Sequence, residues 1–384
     1  MSTNDIIPRI GFQSRIRRSP YFNATRRYGC KVYSTYNHMY LPMSYDDPVN
    51  EYWKLLNDVT LWDVGVERIV EITGPDAFAF TNLLTPRDLT KCAVGQCKYV
   101  VITAADGGII NDPVLSRLGE NHFWLALADS DVLLWAKGLA VYAGMDVQIQ
   151  EPDVSPVQVQ GAKSKQVMQA LFGDKVLELA YYDCMETDLN GMPVVIARTG
   201  WTAEVGFEIY LRDGKRGEEL WQTVMEAGKP YNISPIGPCQ IRRMEAGILN
   251  YGVDMTLADN PYEVGLDWLI DLDQDADFIG KEALKKIKQQ GIKRKLVGVE
   301  ISGDPLPAPN EQPYWSVSYN GTVVGELRSF TYSPRLEKTI GYAMVPIEHA
   351  ELGSELTVET VISEAKMMVV EKPFLDPSKD IPKS

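Results

Sequence analysis

The sequence predicts an α+β protein whose C-terminal part is a small β-barrel-like domain. Two strand–turn–helix units, one beginning at Val70 and the other at Val157, predict helices packed on antiparallel sheets. From about Arg294 onward, short strands separated by glycine and proline are typical of a barrel or a sandwich. A chain of 384 residues also exceeds what one hydrophobic core usually serves, so two or three domains are expected.

Local patterns justify the elements in chain order. Residues 70–73 and 157–160 alternate as strands do, and in each unit a glycine turn and an apolar helical stripe follow. A strand at 123–127 precedes three further predicted helices, at 131–139 with Asp129 or Ser130 as the N-cap, at 214–227 and at 279–292. The strands predicted in the C-terminal part are 296–301, 315–319, 321–329, 339–345, 355–360 and 366–370.

The stretch from Ala197 to Tyr210 is the most informative one for function. It ends one strand, turns, and enters an alternating strand in which Glu208 and Tyr210 share one face while Phe207 and Ile209 share the other. An apolar core needs only the second pair, which leaves Glu208 and Tyr210 to face a ligand. An ordinary hairpin with a solvated face is the alternative interpretation.

Asp112 is the candidate catalytic residue. It follows the Gly107-Gly108 turn and precedes Pro113, where the backbone can project a carboxylate into a cleft. The alternative is that Asp112 caps the turn.

Composition excludes several classes of function. A formal charge of -14 argues against nucleic acid as the partner, because phosphate binding needs a basic face. No apolar run approaches the roughly 20 residues of a membrane span, and the N-terminus lacks the apolar core of a secretory signal, which predicts a cytoplasmic protein without a membrane partner. Five scattered cysteines and three histidines lack the spacing of metal ligands, so no metal is predicted.

The order and spacing of six motifs resemble the glycine-cleavage T-protein family of tetrahydrofolate-dependent one-carbon transferases. The motifs are 105–113, 197–210, 243–255, 260–266, 278–284 and 372–374. The resemblance runs from about Tyr33 to Phe374 and implies three domains in a cloverleaf about a central hole. It implies a first α+β domain of residues 1–60 and 154–235, a second of 61–153 and 236–290, and a barrel-like third of 291–384.

The resemblance also implies roles for individual residues. Asp112 matches an acidic residue beside the reactive folate nitrogen, and Glu208 matches a glutamate that binds the pterin. A carboxylate suits that task because the 2-amino and N3–H edge of a pterin offers two parallel donors. Tyr99 matches an aromatic residue near the folate, and Trp201 stands where glycine-cleavage enzymes carry tyrosine. Trp201 as a half-buried packing residue is the alternative.

Two departures from the glycine-cleavage pattern make the chain similar to the branch of dimethylsulfoniopropionate demethylases. The family reads Phe-Asp-Val-Ser-His-Met where this chain has Trp-Asp-Val-Gly-Val-Glu at 62–67, and it has arginine where this chain has Cys239. The branch implies methyl transfer from dimethylsulfoniopropionate to N5 of tetrahydrofolate, which gives 5-methyltetrahydrofolate and methylthiopropionate. Asp112 would act at N5, and the rings of Tyr36 and Trp201 would hold the sulfonium. The sequence does not identify the basic residue that binds the substrate carboxylate.

Three other functions stay open from the sequence. The first is a tetrahydrofolate-dependent demethylase of a quaternary ammonium, a methylated glycine or an aryl methyl ether. The second is glycine-cleavage aminomethyl transfer, and the third is a non-enzymatic folate-binding accessory protein. The predicted partners are a small-molecule methyl donor and tetrahydrofolate, and a homodimer is left open.

Overall fold

The protein is described by a computed structural model that covers residues 13–303, 306, 314–359 and 364–384. Within these residues three large β-sheets each carry a hydrophobic core. The predicted α+β fold with a C-terminal barrel is confirmed. Residues 1–12 of the predicted first domain and Thr360 of a predicted strand lie outside the described residues.

A six-stranded sheet holds the second strand–turn–helix unit. Its strands, in spatial order, are Cys184–Leu189, Met192–Ala197, Gly206–Leu211, Ser155–Gln160, Thr60–Asp63 and Ser234–Pro235. All neighbours are antiparallel except the last pair. Helices Phe22–Arg27, Ser164–Phe172 and Gly217–Gly228 flank this sheet, and Trp221, Phe207 and further apolar side chains form one core with it.

A five-stranded antiparallel sheet holds the first unit. Its strands, in spatial order, are Gln148–Gln150, Ile69–Thr73, His122–Ala126, Val114–Gly119 and Gln96–Tyr99. Phe80 and Leu84 from helix Ala77–Leu84, together with Val132 from helix Val132–Ala143, pack in its core. A separate apolar cluster, which includes Trp124 and Tyr210, joins this sheet to the six-stranded one.

The turns of the two strand–turn–helix units adopt the same backbone conformation. Gly74 has φ +117° and Gly161 has φ +122°, which are values that side-chain-bearing residues rarely adopt. A Cβ at Gly74 would lie 2.6 Å from the Asp146 carbonyl oxygen, and one at Gly161 would lie 2.5 Å from the Leu55 carbonyl oxygen. Glycine at each turn therefore lets the helix fold back against its own sheet.

The C-terminal part is a closed six-stranded barrel. Its strands, in order around the barrel, are Arg294–Ile301, Lys338–Pro346, Thr322–Ser333, Trp315–Tyr319, Glu355–Glu359 and Glu364–Val370. Trp315, Val317 and Val358 lie in its core. Tyr342 and Leu296 of the barrel also pack with Met244 and Leu249, which join the barrel to helix Gln240–Glu245 and to the segment after it.

The remaining elements are short. The strands are Val32–Tyr36 paired with Met39–Ser44, and Ile102–Thr103 paired with Ile109–Asn111; the α-helices are Pro48–Asn57, Pro261–Val264, Lys281–Gln290 and Asp380–Lys383. Short 3-10 helices span Leu89–Lys91, Asp174–Glu178, Gly214–Arg216, Lys229–Tyr231, Asp267–Leu269 and Ile347–His349. Across the described residues we find no helix with both the length and the apolar character of a membrane span.

The predicted N-caps Asp129 and Ser130 are wrong. The helix begins at Val132 after Asp131, and no side chain caps it. Asp129 Oδ1 accepts the backbone N–H of Asn37 at 2.7 Å, and Ser130 donates to the Ile110 carbonyl at 2.8 Å, so tertiary contacts use both side chains.

Two other helices are shorter than predicted. A 3-10 turn, Gly214–Arg216, precedes helix Gly217–Gly228. Helix Lys281–Gln290 is bounded by Gly280 at φ +88° and Gly291 at φ +77°, and these left-handed residues end it on both sides.

The strand Thr60–Asp63 bears on the domain division. It pairs with Ser155–Gln160 in the six-stranded sheet, whereas residues 69–150 supply the five-stranded one. We propose the predicted three domains with the first boundary moved to follow Asp63, so that the strand stays with its sheet.

A buried ion pair fastens the loop before helix Pro261–Val264 to the barrel. The fully buried Asp259 carboxylate accepts from Arg328 Nη1 at 2.8 Å and from Arg294 Nη2 at 2.9 Å. Arg328 is itself 7% exposed, and Asp259 is the buried one of its two carboxylate partners, the other being Glu326 at 2.9 Å.

Replacing Asp259 with alanine is expected to destabilise the protein by about 3–5 kcal/mol, because it removes the buried partner of Arg328 and leaves this guanidinium only its ion pair with the more exposed Glu326. Asp271→Ala is the matched control, since Asp271 pairs with an exposed lysine, Lys91, and such pairs contribute at most about 1 kcal/mol. Urea unfolding measures both. Equal losses in the two variants would contradict a structural role for the Asp259 cluster.

Candidate functional site

One cavity of about 500 Å³ collects the predicted site residues. Side chains from the five-stranded sheet, the six-stranded sheet, the segment 246–251 and the C-terminal segment 372–379 line it. The predicted residues on its wall are Tyr36, Tyr99, Asp112, Trp201 and Glu208. Tyr210 does not line the cavity, and its hydroxyl donates to Glu208 at 2.7 Å instead.

Asp112 follows strand Ile109–Asn111 directly and faces the cavity. The hydroxyl of Tyr99, the last residue of its strand, donates to Asp112 Oδ2 at 2.8 Å. Burial raises the pKa of Asp112 to about 7, against the opposing effect of the Tyr99 hydrogen bond. The turn is capped by another residue, because Asp106 Oδ1 accepts the Gly108 N–H at 3.1 Å. Asp112 thus carries a carboxyl group that changes charge near neutral pH.

Asn111 explains why only one acid of this segment faces the cavity. Its amide group is buried, donates to the Ala128 carbonyl at 2.9 Å and to Ser130 Oγ at 2.8 Å, and accepts the Ala128 N–H at 3.1 Å. An amide both donates and accepts here, which a carboxylate cannot do.

Glu208 lies inside strand Gly206–Leu211, and the predicted alternation of this strand is confirmed. Phe207 and Ile209 belong to the core beneath the sheet, and Glu208 lines the cavity. Three donors hold the Glu208 carboxyl: Gln158 Nε2 at 2.7 Å, Thr199 Oγ1 at 2.5 Å and the Tyr210 hydroxyl at 2.7 Å. Burial nevertheless raises the pKa of Glu208 above its usual value. The alternative interpretation, an ordinary hairpin with a solvated face, is wrong, because both Glu208 and Tyr210 are buried.

Gln158 is a site residue that the sequence did not reveal. It lies directly opposite Glu208 in the neighbouring strand and is 1% exposed. Its Oε1 atom is buried and finds no hydrogen-bond partner within the described part of the chain. An unpartnered buried acceptor is costly, so a ligand donor at this point of the cavity wall would be stabilising.

Glu67 is a second cavity residue for which the sequence indicated no role. It lines the cavity, and Gln158 Nε2 lies 3.4 Å from its Oε1. Burial raises the pKa of Glu67 well above its usual range, and the nearby carboxyls of Glu208 and Asp112 add to this. The signal was present, since an acid ends the 62–67 segment that departs from the family pattern, but its position in space was not readable from the chain.

The two aromatic candidates differ in their surroundings. Tyr36 is the last residue of strand Val32–Tyr36. Burial raises the pKa of its hydroxyl well above the usual value, and the charges of Asp112 and Glu67 add to this effect. Trp201 both lines the cavity and packs on the cluster that contains Cys239, and Arg243 Cζ lies 5.7 Å from its ring centroid. Trp201 therefore lines the cavity, as a ligand contact requires, and is also a packing residue.

Cys239 replaces a cation with a buried neutral side chain. Burial raises the pKa of its thiol to about 12. The two arginines that follow it do not restore a free charge, because Arg242 donates to Glu204 Oε1 at 2.6 Å and Arg243 pairs with Asp254.

Lys372 and Lys379 are the cations among the cavity-lining residues that the structure describes. Lys372 Nζ lies 5.4 Å from the Tyr342 ring centroid and 3.4 Å from the Val264 carbonyl oxygen. Burial lowers the pKa of Lys372 to about 8, so the amine is mostly charged at neutral pH. Lys372 and Lys379 are therefore the candidates for the basic residue that the sequence left unidentified. Across the described residues no group of His, Cys, Asp and Glu side chains is placed to hold a metal ion.

Comparison with known families gives two matches that together span most of the chain. The model of the GCVT N-terminal domain matches residues 21–274, and that of the glycine cleavage T-protein C-terminal barrel domain matches residues 294–376.

Two curated relatives cover nearly the whole chain. The dimethylsulfoniopropionate demethylase of Ruegeria pomeroyi is 37% identical over 90% of this chain and 94% of its own length. The aminomethyltransferase of Bacillus subtilis is 31% identical over 94% of this chain and 99% of its own length. Among solved structures, the aminomethyltransferase T of Bartonella henselae has a TM-score of 0.85 and 23% identity, covering 94% of this chain and 99% of that one, which supports the fold.

The raised pKa of Asp112 predicts a pH dependence of stability. The folded carboxyl has a pKa of about 7 and the unfolded one about 3.9, so between these values the folded state binds more protons. Its contribution to the free energy of unfolding therefore falls as pH rises through this window, by up to about 1.4 kcal/mol per pH unit. Asp112→Asn removes this contribution, and urea unfolding at stepped pH compares the two proteins. Parallel curves for parent and variant would show that Asp112 has an ordinary pKa.

Proposed function

Because the chain belongs to the glycine cleavage T-protein family, we propose that it transfers a methyl group from dimethylsulfoniopropionate to N5 of tetrahydrofolate. Membership makes it a folate-dependent transferase with tetrahydrofolate as cosubstrate. The products of the proposed reaction are 5-methyltetrahydrofolate and methylthiopropionate. The observation that carries this proposal is the single cavity that gathers Asp112, Glu208 and the ring of Tyr36.

Glu208 and Gln158 fit the donor edge of a pterin. Glu208 Oε1 accepts one hydrogen bond from the protein and Oε2 accepts two, so Oε1 has a lone pair for a ligand donor. The unpartnered Oε1 of Gln158 is a second acceptor directly across the strand pair. Two neighbouring acceptors match the 2-amino and N3–H donors, and we assign the pterin to this wall of the cavity.

Asp112 is assigned to the reacting nitrogen. Tetrahydrofolate supplies a nucleophilic N5 that takes the methyl group in line while the C–S electron pair stays on sulfur, which leaves as a neutral thioether. Asp112 accepts the proton that N5 must lose, and a pKa of about 7 suits this exchange at neutral pH. Most of the rate gain comes from holding methyl and nitrogen in line, which contributes about 7–11 kcal/mol.

Lys372 and the aromatic rings are assigned to the methyl donor. Tyr36 and Trp201 offer ring faces to the sulfonium. Lys372 is charged and partly desolvated, so it attracts the carboxylate at the other end of the donor.

Aminomethyl transfer is the second candidate. The 31% identity to the aminomethyltransferase of Bacillus subtilis supports it. Cys239 disfavours it, because a buried neutral thiol stands where that family's pattern has arginine.

Glu208→Ala is expected to weaken tetrahydrofolate binding by about 1.5–3 kcal/mol, the range of a hydrogen bond to a charged group. Calorimetric titration measures the affinity. Glu208→Gln is the milder companion variant, and Glu219→Ala, at an exposed glutamate paired with Arg216, is the control that should bind as the parent does. Parental affinity in both Glu208 variants would remove the pterin assignment.

The choice of methyl donor is tested by a panel with tetrahydrofolate, with 5-methyltetrahydrofolate detected by mass. Dimethylsulfoniopropionate should react fastest, glycine betaine far more slowly because an amine leaves less readily than a sulfide, and trimethylsulfonium slowly because it lacks the carboxylate for Lys372. Faster methyl transfer from an ammonium or an aryl ether than from dimethylsulfoniopropionate would show that the proposed methyl donor is wrong. The protein would still be a folate-dependent transferase. Methylene-folate formed from an aminomethyl donor would favour the second candidate.

A further inference from the structure

Glu67 is a carboxyl group on the cavity wall to which the proposed reaction gives no task. Its hydrogen bond with Gln158 Nε2 is long, at 3.4 Å, and that amide already lies 2.7 Å from Glu208. Within the part of the chain that the structure describes, no lysine or arginine forms an ion pair with Glu67. Its neighbour Arg68 turns to Glu151, at 2.5 Å. The described part of the chain therefore offers Glu67 no ion-pair partner.

The surroundings of Glu67 suit a cation that has no N–H groups. Tyr36 lines the same cavity as Glu67 and Asp112, and the charges of both carboxyls add to the effect of burial in raising the pKa of its hydroxyl. Burial raises the pKa of Glu67 well above its usual range, as expected for a carboxyl without a cationic partner. An aromatic face together with a carboxylate attracts an onium ion by cation–π and Coulomb interactions, without requiring hydrogen-bond donors on the ligand.

We propose that Glu67 binds the positively charged end of the methyl donor and so selects cationic donors over neutral molecules of the same shape. This inference rests on the proposed function, because it assigns one part of the donor to a residue of the same cavity. A cationic donor favours the ionised form of Glu67, whereas a neutral donor leaves the carboxyl in its favoured protonated form and gains nothing from it.

A pair of isosteric ligands isolates the charge. 4-Methylpentanoate has the skeleton of dimethylsulfoniopropionate with a C–H in place of the positive sulfur. In calorimetric titrations the parent should bind dimethylsulfoniopropionate at least about tenfold more tightly than 4-methylpentanoate. Glu67→Gln keeps the size of the side chain and should reduce this preference to about twofold or less, while the affinity for tetrahydrofolate stays at the parental value.

Glu71→Gln is the matched control. Glu71 accepts from Trp124 Nε1 at 2.9 Å, lies outside the cavity wall, and should leave the preference unchanged. Tetramethylammonium is a second probe of the charge. Weaker binding of this ion to Glu67→Gln than to the parent supports the role of Glu67, even if the parent does not transfer a methyl group from the sulfonium.

Two results would overturn the inference. If Glu67→Gln prefers dimethylsulfoniopropionate over 4-methylpentanoate as strongly as the parent does, another group recognises the charge. A loss of tetrahydrofolate affinity in place of donor affinity shows that Glu67 belongs to the pterin site. Formation of 5-methyltetrahydrofolate by the parent tests the proposed function separately, so turnover with an unchanged preference overturns the role of Glu67 alone.

Discussion

The burial of three carboxyl groups on one cavity is the constraint on which the site depends. Glu67, Asp112 and Glu208 line the same space, and the charges of Asp112 and Glu208 raise the cost of ionising Glu67. Donors from different elements offset part of that cost: Tyr99 for Asp112, and Gln158 for Glu208. These donors reach the carboxyls because residues of both the five-stranded and the six-stranded sheet line the same cavity. The fold is thus what makes such an acidic interior tolerable, and a cationic ligand completes it.

Local patterns predicted the parts of the site that depend on one element. The alternation at 206–211 put Glu208 and Phe207 on opposite faces, because strand periodicity is a property of a few consecutive residues. The barrel was predicted for the same reason. The caps at Asp129 and Ser130 were predicted wrongly because tertiary contacts from Asn37 and Ile110 outweigh a local preference that is worth about 1 kcal/mol.

The residues that the sequence missed depend on pairing between distant segments. Gln158 matters because its strand pairs with Glu208 fifty positions later, and no local pattern fixes that register. Lys372 reaches the cavity from the far end of the chain, past the barrel. Glu67 was visible as a departure from the family pattern, yet only the three-dimensional arrangement brings it near Asp112. Long-range placement, rather than residue chemistry, limited the prediction.

In the proposed reaction the positive charge moves from the donor sulfur to the folate nitrogen, which explains why acidic groups suit both positions. Before transfer the positive charge lies on the donor sulfur, and after transfer it lies on the methylated nitrogen until a proton leaves. A carboxylate near sulfur alone would stabilise the reactant and slow the step, because the charge would leave its field. Glu67 and Asp112 line one cavity, so the proposed reaction has a carboxyl group for each of the two positions of the charge. The positive charge then stays within the field of a carboxylate throughout, and the proton that Asp112 accepts ends the transfer with the cavity no more charged than before.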